Sequence, residues 1–509
     1  MTAVAEPTTV TTYGQYIDGE FTGAEDGGLY EVINPSTEEV IAHVPDGGPA
    51  DAARAVAAAR RSFDRGEWRE KTQQQRSEIM FQVARHLADV SGEWAMLESE
   101  NGGSTIRKNS VADVPLAIEH FRSLAEQALS IPWYEPLPWV DIPNVSWNFV
   151  SREPIGECSG IVPGNFPLLM AVWKIAPALA MGNSVVLKPS PLTPLTALKL
   201  VEAIHETGLI PRGVLNVVTG SGIELGEELV RNKDVDKVAF TGSTRTGRRV
   251  LEMAAPGIKK VTLELGGKSA NIVLPDADLD IAVDGCLFAT FFHQGQICES
   301  GTRLYLHEDI YDEFLARMVE KAKGLVVGDA TDFSSQLGPV ISRQQQTSIL
   351  AAIERARSEG GTIECGGGRP TTVGERGFYI EPTVITGLAD GSAVSCDEIF
   401  GPVVVVHRWR DEPDVIRRAN ESMYGLSGGV WSRDTRRAID IARRLRTGTV
   451  WVNDWHMLNV LAPFGGYRQS GLGRELGTYG LKEYTEVKHI HVDQGVPRDE
   501  RYFYDTLLS

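Results

Sequence analysis

The chain has 509 residues, more than one hydrophobic core ordinarily sustains, so two large lobes with a cleft between them are expected. With 42% hydrophobic and 23% charged residues and 52 glycines, its make-up is that of a folded α/β protein and not of a disordered or fibrous one. A net charge of −18 argues against nucleic acid and anionic membrane as partners, because each phosphate contact needs a cation.

The opening residues Met1 to Tyr16 lack a basic start followed by an apolar segment, so no secretion signal is read there and the cytosol is the expected location. Segment 131–150, rich in Pro, Trp and alternating apolar residues, and segment 481–492 fit neither lobe. Both read as protruding strands, paired either with another subunit or as an edge within the chain. Between about 155 and 275, short β-rich runs alternate with helical patterns. Strands are predicted at 160–162, 184–187, 214–218, 237–240 and 261–265, and helices at 194–205, stopped by Gly208, and 225–231. Such alternation predicts parallel strands joined by crossover helices, the sheet type that binds nucleotides. The most apolar stretch, 168–181, is interrupted by Lys174 and Pro177 and does not span a membrane.

The pattern restarts with a strand at 303–306, a helix at 311–323 and the apolar run 403–406. Helices at 414–420 and 436–445, separated by 428–431 and followed by 449–452, complete a second α/β lobe. The five cysteines, Cys158, Cys286, Cys298, Cys365 and Cys396, show no CxxC-like spacing, so neither a disulfide framework nor a metal site is read. Cys286, inside the apolar segment 281–292, reads as a small buried hydrophobe.

Chemistry gathers at a few places. Cys298 follows a glycine-containing turn in Gly295-Gln296-Ile297-Cys298-Glu299-Ser300 and is either a packed thiol or a nucleophile. Glu264 ends a predicted strand in Glu264-Leu265-Gly266-Gly267-Lys268-Ser269, where the glycines let a ligand approach the backbone. Asn165, in Pro163-Gly164-Asn165-Phe166-Pro167, either satisfies local backbone groups or stands ready as an oxyanion donor. The run Phe240-Thr241-Gly242-Ser243-Thr244-Arg245-Thr246-Gly247 follows a strand and opens a helix, where free N–H groups favour an anion. Gly220, Gly222 and Gly226 form a second strand-to-helix turn, whose spacing departs from GxGxxG. Lys188-Pro189-Ser190 closes another strand, its ammonium either at the surface or directed to a ribose hydroxyl or phosphate.

The ordered set of Asn165, Lys188, Gly242 to Gly247, Glu264, Cys298, Glu398-Ile399-Phe400-Gly401-Pro402 and Pro463-Phe464-Gly465-Gly466 resembles the aldehyde dehydrogenase superfamily over nearly the whole chain. The resemblance implies an α/β fold with a Rossmann-like cofactor domain (1–130 and 151–262), an α/β catalytic domain (263–472) and a small β oligomerisation domain (131–150 and 473–509). It also implies a homodimer or homotetramer. Its chemistry has Cys298 attack a small-molecule aldehyde as a thiolate, with a pKa lowered by nearby dipoles and the cofactor's positive nicotinamide. Asn165 and the Cys298 backbone N–H hold the oxyanion, hydride leaves for NAD, and Glu264 as general base drives hydrolysis of the thioester to the carboxylic acid.

By the same resemblance, Lys188 and Glu398 meet the ribose hydroxyls, Phe400 the nicotinamide half, and Gly242 and Ser243 the pyrophosphate; Ser190, Gly222, Gly226 and Gly247 complete the cofactor set. Pro191 stands where many NAD-preferring members carry a carboxylate that repels a 2′-phosphate. No added cation replaces it, so NAD is favoured, with NADP left open. Substrate-pocket positions are Phe166, Met170, Trp173, Ile297, Glu299, His456 and Leu458, a largely aromatic and aliphatic set that suits an apolar aldehyde. The rival readings are a CoA-acylating relative, which generally lacks the base at Glu264, a catalytically silent member of the fold, and a thiol esterase that needs no cofactor.

Overall fold

The computed structural model describes residues 10–139 and 145–508. The reading of the opening residues thus falls in part, over 1–9, outside the described residues, and so does that of 131–150, over 140–144.

An eight-stranded sheet runs in the order Gly471–Leu472, Lys260–Glu264, Lys237–Thr241, Glu157–Ile161, Ser184–Lys188, Leu215–Val217, Gln15–Ile17, Glu20–Thr22. Its five inner strands are parallel. Helices cover both faces, so even polar residues are buried: all five residues of Ser184–Lys188 are inside. The helix Pro167–Ala180, on one face, is buried at all 14 positions, Lys174 included. From Glu157–Ile161 the chain moves outward to Ser184–Lys188 on one side, then returns to Lys237–Thr241 on the other. That reversal of strand order opens a crevice beyond the carboxyl ends of the strands. Asn165, Lys188, Gly242 and Glu264 all stand at or just past those ends.

A second sheet has seven strands in the order Thr362–Cys365, Thr383–Thr386, Val403–Trp409, Arg303–His307, Ala270–Val273, Ser427–Trp431, Thr449–Val452, parallel except for the first. Its helix Tyr311–Lys323 has the bounds expected from the sequence. The strand Ala270–Val273 was not anticipated: four residues closed by Leu274-Pro275 give little periodicity to read. Gly471–Leu472, expected with the second lobe, instead pair antiparallel with Leu263 and Glu264 of the first sheet, and Leu265 N donates to Ser470 O at 2.8 Å.

The two segments that fitted neither lobe pair with each other within the chain. Thr485–Asp493 lies antiparallel along Ser146–Pro154 over its whole length, and Tyr134–Pro136 adds a third strand. Leu481 belongs to the preceding helix Gly477–Lys482. Ahead of the first sheet's parallel strands lie the helices Pro49–Arg65, Gln73–Val90 and Val114–Ala128, none of which the sequence reading placed.

Close backbone packing joins the sheets at the glycines. A Cβ on Gly448 would lie 1.6 Å from the carbonyl oxygen of Gly465, and Gly465 in turn borders the Glu264 carboxyl. Gly448→Ala is expected to destabilise the protein by about 1–3 kcal/mol through this overpacking, seen as a lower midpoint in calorimetry; an unshifted midpoint would contradict the packing described.

Candidate active site

Cys298 is delivered by a strained turn. After the helix Leu279–Phe291 the backbone passes through His293 (φ 52), Gln294 (φ 54) and Gly295 (φ 67), all left-handed. A Cβ on Gly295 would lie 2.2 Å from the carbonyl oxygen of Gly401, so only glycine fits there. Asn165 reaches this segment from the end of Glu157–Ile161: its Nδ2 donates to Gln296 O at 2.8 Å. The carboxamide therefore serves a contact far along the chain, two residues before Cys298, and not the local turn. From a third direction the Gly266-Gly267 backbone approaches so closely that a Cβ on Gly267 would stand 2.3 Å from the Cys298 carbonyl oxygen.

The Cys298 thiol is pushed well above its ordinary pKa, first by desolvation and then by Glu299, Glu398 and Glu264. Burial and the surrounding carboxyl groups outweigh the hydrogen bond of its own backbone N–H, and the lowering expected from the sequence depends on the charge of a bound nicotinamide. Glu264 is 3% exposed, and neither carboxyl oxygen has a hydrogen-bond partner among the described residues. Desolvation raises its pKa well above the carboxylate range, Glu475 adds to the rise, and Lys174 and Arg474 oppose it. Lys174 forms a buried ion pair with Glu475 and donates to Thr241 Oγ1 at 2.7 Å. The sequence reading missed both as site residues. Lys174 left a signal, a charge inside an apolar helix; Glu475 left none.

On the cofactor side, Lys188 is 7% exposed with no partner for its ammonium among the described residues, and desolvation lowers its pKa to about 8. Gly226 faces it, leaving a Cβ only 3.7 Å from Lys188 Cδ, and Gly222 caps the helix Ile223–Arg231. Ser243 caps Thr244–Ala254, its Oγ accepting from Thr246 N at 3.2 Å. Gly242 and Gly247 lie tight against Phe240 and Leu265, fixing this turn and helix on the sheet. Glu398 accepts from Gly267 N at 3.1 Å and is pushed up to about 7 by desolvation. Phe400 holds a left-handed φ of 56, its carbonyl accepting from Gln345 Nε2 at 2.9 Å. Ser190 makes only a local contact, Oγ accepting from Leu192 N at 3.3 Å. A buried cation without a partner, a helix N-terminus and a desolvated carboxyl group along one crevice suit the ribose hydroxyls and phosphates of a dinucleotide.

On the substrate side, Met170 and Trp173 project from Pro167–Ala180. The Trp173 ring meets Phe464 edge-on at 5.4 Å, and its Nε1 donates to Nδ1 of His120, another residue missed from sequence, at 2.9 Å. Phe166 and Leu458 pack with Cys298 against one hydrophobic core, and Ile297 is buried. Glu299 and His456 face each other, Oε1 2.9 Å from Nδ1.

Comparison with known proteins agrees with this geometry. The model of the aldehyde dehydrogenase family matches residues 21–490. The betaine aldehyde dehydrogenase of Bacillus subtilis (strain 168) is 43% identical over 479 residues, 94% of this chain and 96% of that one. The mitochondrial benzaldehyde dehydrogenase of Antirrhinum majus is 42% identical over 495 residues, 96% of this chain and 91% of that protein. Among solved structures, the NAD+ complex of an aldehyde dehydrogenase from Bacillus cereus matches with a TM-score of 0.92 at 40% identity, over 95% of this chain and 97% of that chain. The chain belongs to the aldehyde dehydrogenase family.

Proposed function

We propose that the protein oxidises an aldehyde with an apolar body, aliphatic or aromatic, to the carboxylic acid, using Cys298 as nucleophile, Asn165 as oxyanion donor and Glu264 as general base. The observation that carries this reading is the meeting of the Asn165, Gly266-Gly267 and Cys298 segments beside a crevice that holds the unpartnered Lys188. NAD, when bound, supplies the hydride acceptor.

Once its proton has passed to water, Cys298 Sγ adds as the thiolate to the carbonyl carbon, and the oxyanion is held by the second N–H of the Asn165 carboxamide and by the Cys298 backbone N–H. As the C–O double bond re-forms, hydride leaves with its electron pair and a thioester remains on Cys298. Glu264 then takes a proton from water, whose oxygen adds to the thioester carbon and expels the thiolate. Lys174 and Glu475 border that carboxyl and tune its charge. Lys188 and Glu398 would hold the ribose hydroxyls, and the turn at Gly242 and Ser243 would meet the pyrophosphate.

Water, and not coenzyme A, is the favoured acceptor because a base stands at Glu264. The B. cereus relative solved with NAD+ supports NAD. Pro191 supplies no charge against a 2′-phosphate, so NADP binding is not opposed there. The likeness to a benzaldehyde dehydrogenase and the rings of Phe166, Trp173 and Phe464 support an aromatic or aliphatic substrate. A cytosolic homodimer or homotetramer divided into the three domains anticipated from sequence completes the proposal. It is supported by the open edges of the three-stranded sheet and by Tyr134 and Trp147, 69% and 48% exposed.

Cys298→Ala is expected to abolish NADH formation, followed at 340 nm, while retaining NAD binding; a fully active variant would refute the assignment. Asn165→Ala should lower kcat by roughly 10²- to 10³-fold, and a negligible loss would return Asn165 to a turn residue. The raised thiol pKa means that thiolate appears only as pH climbs through it. Alkylation of Cys298 by iodoacetamide should therefore accelerate with a midpoint above the usual thiol value of about 8.5, and bound NAD should move that midpoint down. A midpoint below the usual value without cofactor would contradict the burial described. Glu264 is likewise neutral until pH rises through its raised pKa, so deacylation should speed up on the alkaline side, a limb that Glu264→Gln removes.

A further inference from the structure

Beside the nucleophile stands a buried polar pair to which the reaction above assigns no task. Glu299 directly follows Cys298, and its Oε1 lies 2.9 Å from His456 Nδ1, the two side chains being 5% and 4% exposed. His456 is held at φ 60, a left-handed conformation that non-glycine residues keep only where their surroundings enforce it. Its ring packs against Phe288 and Phe292, with centroids at 5.3 and 5.6 Å. Trp455 Nε1 donates to the Glu299 carbonyl at 3.2 Å, tying the same loop to the nucleophile's segment. Glu299 Oε2 and His456 Nε2 are nonetheless buried with no hydrogen-bond partner among the described residues. Unpaired buried acceptors are costly, so a ligand group that satisfies them is selected.

The pair dictates what that group must be. Glu299 Oε2 and His456 Nε2 each lack a partner among the described residues, and the ring nitrogen can accept or donate according to the proton it carries. A hydroxyl, which both donates and accepts, can satisfy the two free positions. The rings of Phe166 and Phe292 already face the Lys108 ammonium, at 4.2 and 5.8 Å from their centroids. Lys108 is itself paired with Asp113 and already occupies these ring faces, so a neutral hydroxyl fits this wall better than a second cation.

We propose that the Glu299–His456 pair selects aldehydes carrying a hydroxyl group on an otherwise apolar body, an aromatic ring being best matched to Phe288, Phe292 and Trp173. The inference rests on the dehydrogenase reading and narrows its substrate. It is tested by kcat/KM for benzaldehyde, its monohydroxy isomers and an ammonium-bearing aldehyde, all with NAD, in the wild type, Glu299→Gln and His456→Phe. At least one hydroxy isomer is expected to exceed benzaldehyde by about 10- to 100-fold, and the ratio to fall toward one in both variants. Taking the ratio within one preparation cancels any loss of folded enzyme. Equal values for benzaldehyde and every isomer, a preference for the ammonium-bearing aldehyde, or a preference that survives both substitutions would overturn the inference and leave the dehydrogenase reading standing. No turnover of any aldehyde would overturn both.

Discussion

Taking ionisable groups out of water within one crevice is the constraint on which this structure depends. Cys298, Glu264, Glu398 and Lys188 are all desolvated, and each is driven toward its neutral form. A group held neutral by burial recovers its charge when a partner of the right sign arrives, so the crevice is arranged around ligands and not around itself. The arrangement lowers the stability of the empty protein, since buried polar atoms without partners are unfavourable. Two large hydrophobic cores flanking the first sheet, and more on the second, offset that cost.

Placement of these groups follows from strand order and from glycine. Parallel strands end together on one side of the sheet, so the segments that leave them share a rim. Glycines then allow chains to approach at distances a side chain forbids, as where Gly267 meets the Cys298 carbonyl and Gly295 meets Gly401. The Cys298 segment is thereby held by close backbone approaches at Gly295 and Gly267 and by the Asn165 carboxamide on Gln296 O.

Much of this was legible in the sequence, and for identifiable reasons. The strand Ser184–Lys188 and the helix Tyr311–Lys323 are legible because a short apolar run after a glycine and a clean helical period each favour one element. The helix Pro49–Arg65 was not, because its buried face is mostly alanine, including Ala52, Ala55, Ala58 and Ala59, and so contrasts weakly with its polar side. Cys298, Glu264 and Asn165 were found through glycine-bearing turns at strand ends. Lys174 with Glu475 and Glu299 with His456 escaped as pairs because each joins positions far apart in the chain, which no local pattern records. The carboxyl groups that raise the Cys298 pKa were not legible either, because only folding brings them close.

The central claim, that Cys298 carries the acyl group and Glu264 releases it, is tested most directly by mass spectrometry. Glu264→Gln would be mixed with an aldehyde and NAD, quenched in acid and digested. The account predicts an acyl adduct on the peptide that contains Cys298 and on no other cysteine peptide. An adduct on a different cysteine, or none while NADH is formed, would contradict it.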